Sequence, residues 1–143
     1  MAKRPNKSSS KPITAERRRR GQKTFSRIHR AGGKEVVDRL RALSPDFADM
    51  INDFAFGEIY SRPGLGLRER QIATVAALTA LNNAPAQLEA HMEGAFNLGI
   101  TREKIHEIVI QMALYGGFAA ASNGLVATEA AWRAYKGAKR DSR

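Results

Sequence analysis

From Val36 onward, apolar residues return every third or fourth position, and glycine, proline or asparagine closes each run. That spacing is the helical period, and no alternating run of β-branched residues competes with it. The pattern therefore predicts an all-α body. Val36, Val37, Leu40 and Leu43 form a first stripe; Ser44 then offers an N-cap oxygen, Pro45 a first helical position and Asp46 a first-turn acid. Phe47, Met50, Ile51, Phe54 and Ile59 follow at helical spacing and are expected to point inward. Ile72, Val75, Ala76 and Thr79 mark the next helix, and Pro85 opens another with Leu88, His91, Met92 and Ala95 on one face. Gly99 is expected as its left-handed terminator, with Ile100 as the hydrophobic contact. Thr101 caps a helix whose Ile105, Ile108, Val109 and Met112 face inward, and the glycines at 116–117 separate it from a last helix bearing Ala121, Leu125 and Trp132. The Ala and Gly density of these later helices suits close helix approach, in a bundle or between subunits.

A chain of 143 residues with 43% hydrophobic and 27% charged residues is expected to form one globular domain. Cysteine is absent, which excludes disulfides, thiolate metal sites and dithiol redox chemistry. No apolar run is long enough to span a bilayer, and no apolar signal segment stands near the start, so the expectation is a cytoplasmic protein with no membrane partner. The net charge of +10 is unevenly placed. Residues 1–30 hold eleven of the 24 Lys and Arg but only Glu16 of the 14 acids, leaving 13 of each sign in the rest. Residues 1–12, polar and Ser/Lys-rich, read as a disordered basic arm, and 13–143 as the helical domain. The "RRRR" run (Arg17 to Arg20) reads as a solvated helix face, with Phe25, Ile28 and His29 available to rest on the body. Nucleic-acid contact is expected to be no more than non-specific, through residues 1–30; the arm resembles a mitochondrial transit segment in composition alone.

Two features lie outside a plain helical pattern. His91 occupies an apolar stripe, where a histidine is either a satisfied core residue or a functional group. No second ligand stands at metal-binding distance from it in sequence, so no metal is expected. Glu58 follows Phe54 by four positions and precedes Arg62 by four, which allows a structural ion pair at the helix end or a carboxyl group beside a cationic pocket wall.

The stretch "FAFGEIYSRPGL" resembles the Trp-Gly-Glu-Ile-Trp-x-Arg-Pro-Gly-Leu block of the 4-carboxymuconolactone decarboxylase family, and "RERQIATVAALTALNNAPAQLEAHMEGAFNLGITREKIHEIVIQMALYGGFAAASN" is similar to the remainder of that domain. "ERRRRGQKTFSRIHRAGGKEVVDRL" extends the similarity back to about residue 16. The wider superfamily contains alkylhydroperoxidase-D-like proteins with a Cys-x-x-Cys and a following His. Here Ala84 and Gln87 stand at the thiol positions, His91 remains, and the upstream Glu position falls near Gln71. Thiol peroxidase chemistry is thereby excluded. Phe56 and Tyr60 replace the two tryptophans of the block, and "YGGFAAASN" from Tyr115 lacks the family's Pro at Ala119, changes that bear on pocket shape.

The resemblance implies a cofactor-independent carboxy-lyase of aromatic-compound catabolism, acting on a small dianionic lactone and assembled as a homo-oligomer, a trimer or hexamer. It implies His91 and Glu58 as the catalytic pair, with the proton-delivering role open between them. Arg62 and Arg70 would bind substrate carboxylates, with Tyr60 and Tyr115 completing the substrate site. The alternatives are a related enzyme on another lactone or aromatic-pathway acid, and a non-catalytic oligomer that binds small anions.

Overall fold

The computed structural model describes residues 15–30 and 32–141. The arm expected over residues 1–12 lies outside them. Helix α1 (Ala15–Ile28) is followed by α2 (Gly32–Leu43) and the short α3 (Pro45–Met50), which runs directly into a π-helical segment (Ile51–Ile59). Then come α4 (Leu67–Leu81), α5 (Pro85–Asn97), α6 (Arg102–Gly116) and α7 (Phe118–Asp141). Helices α4 to α7 pack on one another as a bundle; α1 lies on the π-helical segment, and α2 bridges α3 and α5. The described residues are all-α, as the spacing predicts.

Several local signals act as read. The Ser44 side chain accepts from the Phe47 N–H, and Pro45 begins α3. Thr101 accepts from the Lys104 N–H. Gly99 adopts φ 78°, and the Ile100 N–H returns to the Ala95 carbonyl at 3.0 Å, closing α5 with the expected left-handed turn. The core of the bundle is Val75, Leu88, Met92, Ala95, Phe96, Ile105 and Val109, packed against Ala121, Ala127 and Ala131 of α7. Burial of this surface, at about 25 cal/mol per Å2 of apolar area, is the main force holding the helices together.

Two stripes depart from expectation. Phe47, Met50, Phe54 and Ile59 are exposed, whereas Ala48, Asp53, Phe56 and Gly57 are buried. In the π-helical segment hydrogen bonds run from residue i to i+5, so each turn takes an extra residue and the apolar spacing no longer marks the inner face. That inner face belongs to α1. Arg18 grips the buried Asp53 with Nη2 at 2.9 Å and Nε at 3.2 Å, and Arg20 Nε donates to the Gly57 carbonyl at 2.7 Å. Arg17 and Arg20 reach Glu58 at 2.7 and 3.1 Å. Much of the arginine run read as a solvated face is thus the seam between α1 and its neighbour. Glu58 pairs with this run, and no ion pair to Arg62 occurs among the described residues. The backbones meet closely: a Cβ added to Gly21 would lie 2.2 Å from the Asn52 carbonyl oxygen. In α4 the inward line is Gln71, Val75 and Thr79, leaving Ile72 outside.

The end of α1 carries His29 into the interior, where it is 6% exposed. Burial, and secondarily the proximity of His91, pushes its imidazole down to about 3. An unfolded histidine takes up its proton near 6.5, so the folded chain binds fewer protons than the unfolded chain between those values and loses stability as pH falls through that interval. Asp53, held below the ordinary carboxylate value chiefly by its hydrogen bond from Arg18, adds a loss of the same sign at the acidic end. The denaturation midpoint should fall between pH 6.5 and 4.5 in the wild-type protein and fall by less in His29→Gln, in which the buried His91, pushed down to about 4, still contributes. Equal pH dependence in the two proteins would contradict a buried, neutral His29.

Candidate active site

Helix α5 turns Leu88, Met92 and Ala95 into the bundle core, and His91 stands at the margin of that stripe. Its ring meets the fully buried Gln71 of α4. Gln71 Nε2 donates to the His91 carbonyl at 2.9 Å, while Gln71 Oε1 lies 3.2 Å from His91 Nδ1 and accepts from the Tyr60 hydroxyl at 3.2 Å. The backbone contact fixes the amide, since a flipped Gln71 would set oxygen against oxygen. Oε1 can only accept. Nδ1 of His91 therefore carries the proton, and Nε2 keeps its lone pair with no hydrogen-bond partner among the described residues. Burial pushes this imidazole down to about 4, so it is neutral at pH 7.

His91 lines a cavity of about 290 Å3 walled by Phe25, His29, Val36, Val37, Phe56 and Ala90, with Gly33 at its edge. The His29 and His91 rings are 5.0 Å apart and edge to face. Phe56 stacks edge-on against His29 and tilts toward Tyr60, so aromatic rings line the wall without supplying charge. On the other side of His29 lies a second cavity of about 470 Å3, with Arg18, Arg30, Lys34 and Arg41 set against Asp38 and Asp49. The two share Phe25, His29, Val37 and Ile51. An aromatic chamber bearing a neutral imidazole thus adjoins a cationic one.

The residues singled out in the sequence are only partly gathered here. Tyr60 reaches His91 through Gln71, its ring 6.5 Å from the imidazole. Arg70 is electrostatically close to Tyr60; its Nη2 donates to the Arg62 carbonyl at 3.0 Å, and its Nε is buried without a hydrogen-bond partner. The Arg62 side chain is exposed and lines neither cavity. Glu58 also lines neither, because the arginines of α1 hold it on the outer side of the π-helical segment. Tyr115, 75% exposed, stands on α6 away from both cavities. Gln71 and His29 were not assigned site roles from sequence. The i, i+3, i+4 spacing of Phe25, Ile28 and His29 signalled the burial of His29, and Gln71 stands near the position where thiol peroxidases carry a glutamate. No group of three potential metal ligands occurs among the described residues, and no described helix is long and apolar enough to cross a membrane.

Residues 45–130, more than half of the chain, match the carboxymuconolactone decarboxylase family. That segment runs from α3 into α7 and includes Gln71 and His91, whereas α1 and α2 lie before it. The chain is similar to 4-carboxymuconolactone decarboxylase of Acinetobacter baylyi, with 35% identity over 86 residues, 60% of this chain and 63% of that protein. It is also similar to nitrosuccinic acid decarboxylase of Metarhizium robertsii, with 29% identity over 101 residues, 68% of this chain and 70% of that protein. The matched part thus spans somewhat under two thirds of the Acinetobacter protein's length. On the extent of the family match, the chain belongs to the carboxymuconolactone decarboxylase family.

Proposed function

We propose that this protein decarboxylates a small dianionic acid whose departing carboxyl group adjoins an electron-accepting group, with 4-carboxymuconolactone as the first substrate to test. The acids in the names of the two relatives share that property through a lactone carbonyl or a nitro group. The observation that carries the reading is the His91 imidazole, held in one tautomer by Gln71 on the wall of an aromatic cavity.

In this reading the C–C bond to the leaving carboxylate breaks, CO2 departs, and the electron pair passes into the lactone carbonyl as a dienolate. The substrate is its own electron sink. The protein must then hold the anion, exclude water from the departing carboxylate and return one proton to carbon. A neutral His91 has no proton on Nε2 to give. A bound dianion reverses that condition, because negative charge close to a buried imidazole favours its cationic form. His91 then gives the Nε2 proton to carbon and ends neutral, with its orientation unchanged because Gln71 holds Nδ1 throughout. Arg70, in the first turn of α4 and close to Tyr60, lines neither cavity and would favour the anion from behind Tyr60, with Arg62 as an outer cation. Glu58 serves better as the anchor of α1, which roofs the cavity, than as a proton carrier.

A homo-oligomer belongs to the same proposal. Leu114 and Phe118, 79% and 83% exposed, stand with Ile110, Tyr115 and Val126 on an uncovered apolar face of α6 and α7, a feature that commonly marks a contact between copies. Tyr115 could then reach substrate only across such a contact.

Loss of lactone absorbance under ultraviolet detection measures turnover. His91→Ala should lower kcat by about 100-fold or more while keeping the wild-type circular dichroism spectrum; undiminished turnover would return His91 to a packing role. Light scattering after gel filtration should give three or six times the 15.7 kDa chain mass, reduced by Phe118→Glu. A wild-type mass of one chain would defeat the oligomer reading.

A further inference from the structure

Only one side chain on the wall of the His91 cavity still has a hydrogen-bond donor to offer. No charged group lines that cavity, and its polar side chains are His29, Gln87 and His91. His91 gives its Nδ1 proton to Gln71 and presents only the Nε2 lone pair. The His29 ring donates to the Ala90 carbonyl, and its Nδ1 lies against Gly33. Gln87 is placed differently. It is the third residue of α5, where a glutamine commonly bonds back to the backbone N–H ahead of the helix. No such bond forms here, and the Gln87 amide has no hydrogen-bond partner among the described residues. Its N–H groups are therefore open to a ligand. Gln87 and His91 stand one turn apart, about 6 Å, on the same side of α5, so both can reach one small ring. The acids of α5 leave this wall uncharged: Glu89 and Glu93 line a separate cavity of about 210 Å3 with Glu35 and Arg39 of α2.

We propose that the Gln87 amide donates a hydrogen bond to the electron-accepting carbonyl oxygen of the ligand, which makes Gln87 a catalytic residue beside His91. The catalytic role rests on the decarboxylase reading; the carbonyl contact does not. When the C–C bond to the leaving carboxylate breaks and CO2 departs, the electron pair moves through the ring and that carbonyl oxygen becomes the enolate oxygen. No proton leaves Gln87. An N–H group already aimed at this oxygen binds it more strongly once it is charged, so the contact lowers the barrier as well as orienting the ring. His91, one turn further along α5, then returns a proton to a carbon of the same ring. The division of roles follows from what each side chain has free. A neutral His91 offers the oxygen no donor, and Gln71 is fully buried with its amide engaged by His91 and Tyr60. Gln87 is the amide that remains.

A saturated lactone acid, 5-oxotetrahydrofuran-2-carboxylate, is the probe: it carries the carbonyl but no conjugated sink, so it binds without reacting. Tetrahydrofuran-2-carboxylate, the same ring without the carbonyl, is its control. Added to the full chain, the lactone should move the Gln87 side-chain amide resonances in proton–nitrogen NMR spectra, and the control should leave them in place. Gln87→Leu should weaken lactone binding by about tenfold and leave the affinity for the control unchanged. With 4-carboxymuconolactone, the same variant should lower kcat by about 100-fold and change KM far less. No lactone binding at millimolar concentration, binding with unmoved Gln87 resonances, or an equal response to the control would each overturn the proposal on wild-type protein alone. A lactone contact at Gln87 in a protein that leaves every acid intact keeps the contact and loses the decarboxylase reading. Turnover undiminished in Gln87→Leu keeps the decarboxylase and removes Gln87 from its chemistry.

Discussion

A single amide sets the orientation and tautomer of His91. Gln71 gives its N–H to the backbone of His91 and its oxygen to the ring of the same residue, with Tyr60 converging on that oxygen. Because Gln71 is fully buried, misorienting it would leave polar atoms unpaired at a cost of about 1–3 kcal/mol each. The amide is therefore a fixed reference, and the imidazole takes its tautomer from it. Helices α4 and α5 are joined by the same contact, so the bundle packing and the orientation of Nε2 depend on each other. A glutamate at this position would accept from the ring as well, but it would favour imidazolium; the neutral amide leaves His91 uncharged.

Helix α1 plays the complementary part. Its arginines bind Asp53 and Glu58, its glycine lets two backbones approach, and its last turn delivers Phe25 and His29 to the cavity wall. The bundle alone would leave His91 on an open groove. With α1 and α2 in place, the groove becomes a chamber with an apolar side and a cationic side. Such a partition suits a reaction in which one carboxylate must shed its charge as CO2 and another must keep it.

The bundle helices were largely legible from their spacing, caps and terminating glycines because α5 and α6 are regular and bury one side. The α3 stripe was not, since a π-helical segment shifts the phase and a polar helix claims the inner face. Periodicity also missed Gln71, a buried polar residue whose partner lies 20 positions away in sequence. The placement of Glu58 shows the same limit: a residue four positions away is the obvious partner on paper, but tertiary packing supplied Arg17 and Arg20 instead. His91 was legible because a histidine in an apolar stripe is unusual, and His29 only as a residue able to reach the body.

The protonation state of one ring, His91, carries the proposed chemistry. Nitrogen-15 NMR of the histidine side chains at pH 7 reads it directly. His91 should be neutral, with its proton on Nδ1 and an unprotonated Nε2. A proton on Nε2, or an imidazolium in the absence of any bound anion, would contradict it.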